Sequence, residues 1–326
     1  MQRVPSLEPM RSETFPYPDR FFGSPHGPLC YFDTGEPPAA PGAIAGPDGG
    51  ARRPPILMLH ALGINFTQFE YVAPTLAAQS RIVGLDMPGC GHSAKPRRPW
   101  RIADVTAAAV RLLDHLGLQR VVVLGHSFGG RVALELALRH PERVLGLVLL
   151  NSAGLHRFPA LYRHVGPRLL TPNVVAGVML GSFRYILQFI FSKPTRKTAR
   201  AQRFMHQVLD RYDPRFAWEF AYHACPLLAE LTTDLIDELP RITVPTQVVW
   251  GEADLLLRLH DVRAVLKRMP RCELVELPEI GHMPTFEHPE AVIAAVHRLF
   301  QALGTQPPAA QLDPDRPADR PAGALA

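Results

Sequence analysis

Residues 121–130 read Val121-Val122-Val123-Leu124-Gly125-His126-Ser127-Phe128-Gly129-Gly130. The four leading aliphatic residues suit a short strand buried on both faces. The apolar spacing over 128–139 suits a helix that stops before Pro141. A serine in a Gly-x-Ser-x-Gly pattern is informative when it joins a strand directly to a helix, as here. Such a turn lifts the hydroxyl off the sheet, and small residues two positions to either side let strand and helix pack closely. The helix N-terminus behind the serine favours developing negative charge. Ser127 is therefore the candidate nucleophile.

Moving outward, short runs rich in Val, Ile and Leu recur at 56–59, 81–85, 144–150, 246–250 and 273–277. Helical patterns at 103–116, 128–139 and 288–303 separate or follow them, with Gly117 and Gly304 as C-caps and Pro289 at a first helical position. This alternation predicts an α/β fold, a mostly parallel sheet with helices on both faces. It breaks over 153–239, which has no strand pattern, several helix-like stretches and recurrent prolines, and reads as a helical insertion. The Pro- and Gly-rich segment 36–55 reads as a long, flexible hairpin loop between two strand candidates, and 304–326 as a disordered tail. The expected organisation is a core at 15–152, the insertion at 153–239, a second part of the core at 240–303, and the tail.

A formal charge of +5 could suit an acidic partner, but the cations are mostly Arg and spread along the chain. Nucleic-acid binding, which needs a clustered footprint, is not expected. Cys30, Cys90, Cys225 and Cys272 lie far apart without metal-ligand spacing, so free thiols are expected, and neither a metal nor a cofactor. Residues 1–17 lack the apolar core of a secretory signal. The apolar stretch 174–191 is interrupted by Arg184 and Gln188, so it reads as a buried or amphipathic helix without stable membrane insertion. A cytoplasmic enzyme is the resulting expectation.

A serine hydroxyl needs a base, and the base needs an orienting acid. His282 follows Gly281 in a turn after the run 273–277, from which it can reach the sheet edge that carries Ser127. Asp254 stands just past the run 246–250 in Trp250-Gly251-Glu252-Ala253-Asp254 and is favoured over Glu252, where the chain is still leaving the strand. Oxyanion donors are expected from the N–H of Phe128 and of Leu62, the latter in His60-Ala61-Leu62-Gly63.

The segments 60–63, Asp86-Met87-Pro88-Gly89-Cys90-Gly91-His92-Ser93, 125–130, 250–254 and 281–282 together resemble the signature blocks of the α/β-hydrolase superfamily, over about residues 29–300. The order Ser, Asp, His is that of these enzymes. The resemblance implies an eight-stranded, mostly parallel sheet and makes 153–239 similar to their helical cap. It carries the triad onto Ser127, Asp254 and His282. In one departure, Ala61 stands where many relatives have glycine.

Serine at the elbow separates this chain from dehalogenases and epoxide hydrolases, which need a carboxylate there. The expected activity is that of a serine hydrolase cleaving carboxylic esters of apolar or aromatic acyl groups through an acyl-enzyme, with a small apolar ester as its partner. His60, Phe158, Tyr162, Phe183 and Phe189 are candidate pocket residues. The alternatives are a C–C bond hydrolase of ring-fission diketones and a ligand receptor with a slow triad.

Overall fold

In the computed structural model of the chain, the described residues are 15–25, 27–37, 53–95, 98–156, 165, 168–169, 171–209, 214–231 and 235–304. Eight strands form one sheet: β1 (Arg20–Ser24), β2 (Gly27–Asp33), β3 (Ile56–Leu59), β4 (Ile82–Leu85), β5 (Val121–His126), β6 (Val144–Leu150), β7 (Thr246–Gly251) and β8 (Cys272–Leu277). Their order is β1-β2-β4-β3-β5-β6-β7-β8. β2 is antiparallel to β1 and β4, and the remaining pairs are parallel.

This order corrects one expectation. The segment 36–55 does not close a hairpin, because β2 pairs with β4 and β3 lies on the far side of β4. The flexibility expected of that segment falls mainly on residues outside the described ones, as does the tail beyond Gly304.

Successive side chains on a strand point to opposite faces, and the two apolar layers follow that parity. Leu57, Leu59, Val83, Val121, Val123, Leu147 and Leu149 face a layer formed with helices α2 (Ile102–His115), α3 (Phe128–Arg139) and α7 (Leu259–Leu266). Ile56, Met58, Ile82, Val122, Leu124 and Val148 face α1 (Ala73–Ala77) and α8 (Pro289–Ala302). The central strands are buried along their whole length, which explains their unbroken aliphatic runs.

Between β6 and β7 the chain forms α4 (Pro172–Ile190), α5 (Ala199–Leu209) and α6 (Pro214–Leu231). Val175 and Ala176 of α4 pack on Ala221 and Cys225 of α6, and Leu187 packs with Phe204 of α5 and Phe286 of the core. The opposite side of α4 exposes Val174, Val178, Tyr185 and Phe189. The helix thus buries one side and carries apolar residues on its solvent side as well. No helix among the described residues is long and apolar enough to cross a membrane. All four cysteines are free thiols, with Cys30 and Cys225 buried.

Candidate active site

Ser127 occupies a left-handed backbone conformation, φ 52° and ψ −114°, between β5 and α3. A non-glycine residue there stores about 1–3 kcal/mol of strain, which the surroundings must hold. They do so by main-chain bonds: Ser127 N–H donates to Leu150 O at 2.9 Å, and Ser127 O accepts from Gly130 at 3.0 Å and Ala153 at 3.0 Å. A Cβ on Gly129 would collide with the carbonyl of Leu59, so only glycine lets α3 sit this close to β3.

Asp254 and His282 are brought together. His282 Nδ1 lies 2.7 Å from Asp254 Oδ2, with both side chains buried. Asp254 Oδ2 also accepts from Asn151 Nδ2 at 2.6 Å, and Oδ1 accepts from the N–H groups of Leu256 at 2.8 Å and Leu257 at 3.0 Å. Burial alone would raise the Asp254 carboxyl. His282 beside it, together with these donors, instead holds it below its ordinary value, so the acid stays ionised.

The loop carrying His282 is fastened on every side. Its N–H donates to Ile190 O at the end of α4, at 2.8 Å. Its carbonyl lies 2.6 Å from His126 Nε2, which must be the protonated nitrogen because a carbonyl can only accept. His126 Nδ1 then accepts from Gln68 Nε2 at 3.3 Å, and Gln68 Oε1 accepts from Ala61 N–H at 2.9 Å. One buried relay therefore joins the 60–63 loop, the residue next to Ser127, and the His282 backbone. Glu287 completes the fastening by accepting from Gly281 N–H at 3.0 Å, Met283 N–H at 3.2 Å and Ser192 N–H at 3.0 Å.

Residues 54–289 match the family model described as the alpha/beta hydrolase fold. The chain belongs to this family. It is 31% identical over 260 residues to a pimeloyl-[acyl-carrier protein] methyl ester esterase of Aeromonas hydrophila, a match covering 76% of this chain and 95% of that one. It is 28% identical over 249 residues to the dihydrolipoyllysine-residue acetyltransferase component of an acetoin cleaving system of Pseudomonas putida. That match covers 75% of this chain but spans only 62% of the longer relative. Among solved structures, a probable hydrolytic enzyme from Pseudomonas aeruginosa PAO1 superposes with a TM-score of 0.72 at 24% identity, over 91% of this chain and 100% of that one.

Within this alpha/beta hydrolase, Phe128 is buried at the first turn of α3, and Leu62 is partly buried in the loop after β3. Ala61 is not among the positive-φ residues, so its backbone accommodates a methyl without strain, whereas Gly63 takes φ 79°. The ring of Phe220, from α6, packs so close to Gly63 that a Cβ there would come within 2.8 Å of it. The inserted helices thus touch both the 60–63 loop and the His282 loop.

His60 is corrected from a pocket residue to an internal brace. It has no exposed surface, its Nε2 accepts from Met87 N–H at 2.9 Å, and its Nδ1 donates to Ala61 O at 2.7 Å. Burial holds this imidazole down at about 4, so it remains neutral. Phe189 is exposed on α4; Phe158, Tyr162 and the Phe183 side chain lie outside the described residues.

Asp86, in the second signature segment, accepts from Phe66 N–H at 2.8 Å and His92 N–H at 2.9 Å; burial pushes its carboxyl up to about 8. His92 Nδ1 pairs with Asp19 at 2.6 Å beside the buried Cys30 thiol. Burial raises that thiol well above its ordinary value. Sequence reasoning missed Gln68, His126, Asn151 and Glu287. For His126 and Asn151 a signal existed, since each ends or follows a central strand at the edge that carries Ser127.

Proposed function

We propose that this chain is a serine hydrolase that cleaves carboxylic esters through an acyl-enzyme, with Ser127 as nucleophile, His282 as base and Asp254 as its orienting acid. The observation that carries the reading is the buried 2.7 Å pair of His282 Nδ1 and Asp254 Oδ2, fixed through His126 to the elbow that holds Ser127. An aspartate bound to Nδ1–H leaves Nε2 unprotonated and free to take a proton.

In this reading, Ser127 Oγ attacks the ester carbonyl carbon while its proton passes to His282 Nε2. The imidazolium is stabilised by ionised Asp254. The carbonyl oxygen becomes an oxyanion, held by the N–H groups of Phe128 and Leu62. Collapse breaks the bond to the alkoxy oxygen, which leaves as the alcohol with the proton from His282. Water then repeats the sequence on the acyl-enzyme and releases the acid. The esterase name of the Aeromonas relative agrees with this chemistry.

The inserted helices act as the cap that roofs the site and selects apolar or aromatic acyl groups. Support comes from their contacts to both flanking loops, at Phe220 and Ile190, and from their launch point after β6, at the C-terminal edge where open sheets bind ligands. The test is labelling with a fluorophosphonate followed by a panel of short and aromatic esters. Wild type should be labelled at Ser127 and turn esters over. Ser127→Ala should fold, resist labelling and lose on the order of 10³-fold or more in kcat. Ester hydrolysis retained by folded Ser127→Ala would overturn the assignment.

A further inference from the structure

The solvent side of α4 presents Val174, Val178, Gly181, Tyr185 and Phe189, spaced as one helical face. Val174 and Val178 are each 51% exposed and Tyr185 62%, although Val175, Ala176 and Leu187 already bury the other side of the helix. At 1.5 Å per residue the stripe runs about 22 Å, longer than a small-ester site requires, so substrate contact does not account for it. A contiguous apolar surface of this kind marks a place where something else binds.

Charge narrows the choice. Cations are spread along the whole chain, but the anions are not: residues 153–209 hold nine Lys and Arg and no Asp or Glu. Lys193 and Lys197 follow α4 within a few residues, are exposed, and have no carboxylate partner among the described residues. A second copy of the chain would set these cations against their own kind. An acidic protein would satisfy the charge, yet the stripe offers valines, a glycine and aromatic rings rather than polar anchors. Acyl chains fill any apolar contour, and phosphate headgroups lie beside them at the depth where Tyr and Lys settle.

We propose that the outer face of α4, with the lysines that follow it, docks the protein peripherally on an anionic phospholipid surface. The helix lies in the interface with its stripe among the upper acyl chains and Lys193 and Lys197 among the headgroups. This docking is independent of the assignment of Ser127.

Co-sedimentation of the full chain with vesicles of phosphatidylcholine alone, or with roughly one-third phosphatidylglycerol, tests it. Partition should be at least about 10-fold stronger on the anionic vesicles and should weaken with added salt. Each lost cation lowers partition about 5-fold, so Lys193→Glu with Lys197→Glu should lower it roughly 25-fold or more. Val178→Ser with Tyr185→Ser should also release the protein, by about 10-fold or more, while turnover of a water-soluble ester and Tm stay at wild-type values. Equal partition on both vesicles overturns the proposal, and that comparison needs no variant. Binding indifferent to the Val178/Tyr185 change, or a wild-type dimer that this change dissolves, overturns it as well.

Discussion

The Nε2–H of His126 donates to the main-chain carbonyl of His282 over 2.6 Å, in a site with no exposed surface at His126. The residue preceding Ser127 thus holds the backbone of the residue proposed to deprotonate Ser127. A misplacement of about 1 Å can cost about 100-fold in rate. His126→Ala should therefore lower kcat by roughly 10- to 100-fold with little change in KM, while His126→Gln, which can still donate, should recover most of it. Steady-state kinetics on a soluble ester check this; an unchanged kcat in folded His126→Ala would remove His126 from the arrangement.

The same histidine predicts acid sensitivity. Burial holds His126 down at about 3 and His60 at about 4. In the unfolded chain both return to about 6.5 and take up protons that the fold refuses. Their contribution to stability is complete above about pH 6.5 and is lost as pH falls toward 4 and 3. Tm should fall between pH 7 and pH 5, and less steeply in His126→Gln. Parallel melting curves whose difference is constant with pH would contradict this.

Asp254→Asn keeps the shape of the acid but removes its charge. The Asn151 amide and His282 Nδ1–H would then compete for a single neutral oxygen, and His282 would be free to adopt the wrong tautomer. By analogy with the serine protease triad, kcat should fall by about 10⁴-fold at neutral pH in a folded protein. A loss below tenfold would show that Asp254 is not the orienting acid.

Glu287 answers three main-chain N–H groups, on either side of His282 and at Ser192 beyond α4. Glu287→Ala leaves all three without that acceptor, at about 1–3 kcal/mol for each group that water cannot reach. Tm should drop by several degrees, and kcat should fall with it because the His282 loop loosens. Thermal denaturation paired with ester kinetics measures both; a wild-type Tm would show that water replaces the carboxylate without cost.

Phe220 lies against Gly63 beside the proposed oxyanion donors. Phe220→Ala should open space there and favour bulkier acyl groups, by roughly 10- to 100-fold in relative kcat/KM across an ester series. A uniform change over all esters would make the inserted helices a lid without selectivity.

The core was legible because parallel strands buried on both faces must be aliphatic throughout. The runs at 56–59 and 144–150 coincide with β3 and β6, and the helix at 128–139 coincides with α3. The hairpin β1–β2 left a weaker mark, since β1 is exposed at most positions and shows no aliphatic run. The place of β3 beyond β4 is a matter of pairing, which no local pattern encodes. At the site, Ser127, Asp254 and His282 stood out by position after strands, and the structure pairs the last two. Gln68 and Glu287 did not stand out, because their roles depend on which distant N–H groups the fold brings to them. His60 misled because a histidine in a signature loop looks like chemistry, whereas both its nitrogens serve the main chain.

β8 is the last strand among the described residues and lies at one edge of the sheet, and His282 follows it, whereas Ser127 is set at the centre much earlier in the chain. In a growing polypeptide the elbow sequence therefore emerges long before the base proposed for it. On the proposed assignment, fragments ending before β8 carry Ser127 without His282 and should not cut esters. Appearance of activity during synthesis would thus time the arrival of β8 and the His282 loop rather than that of the serine.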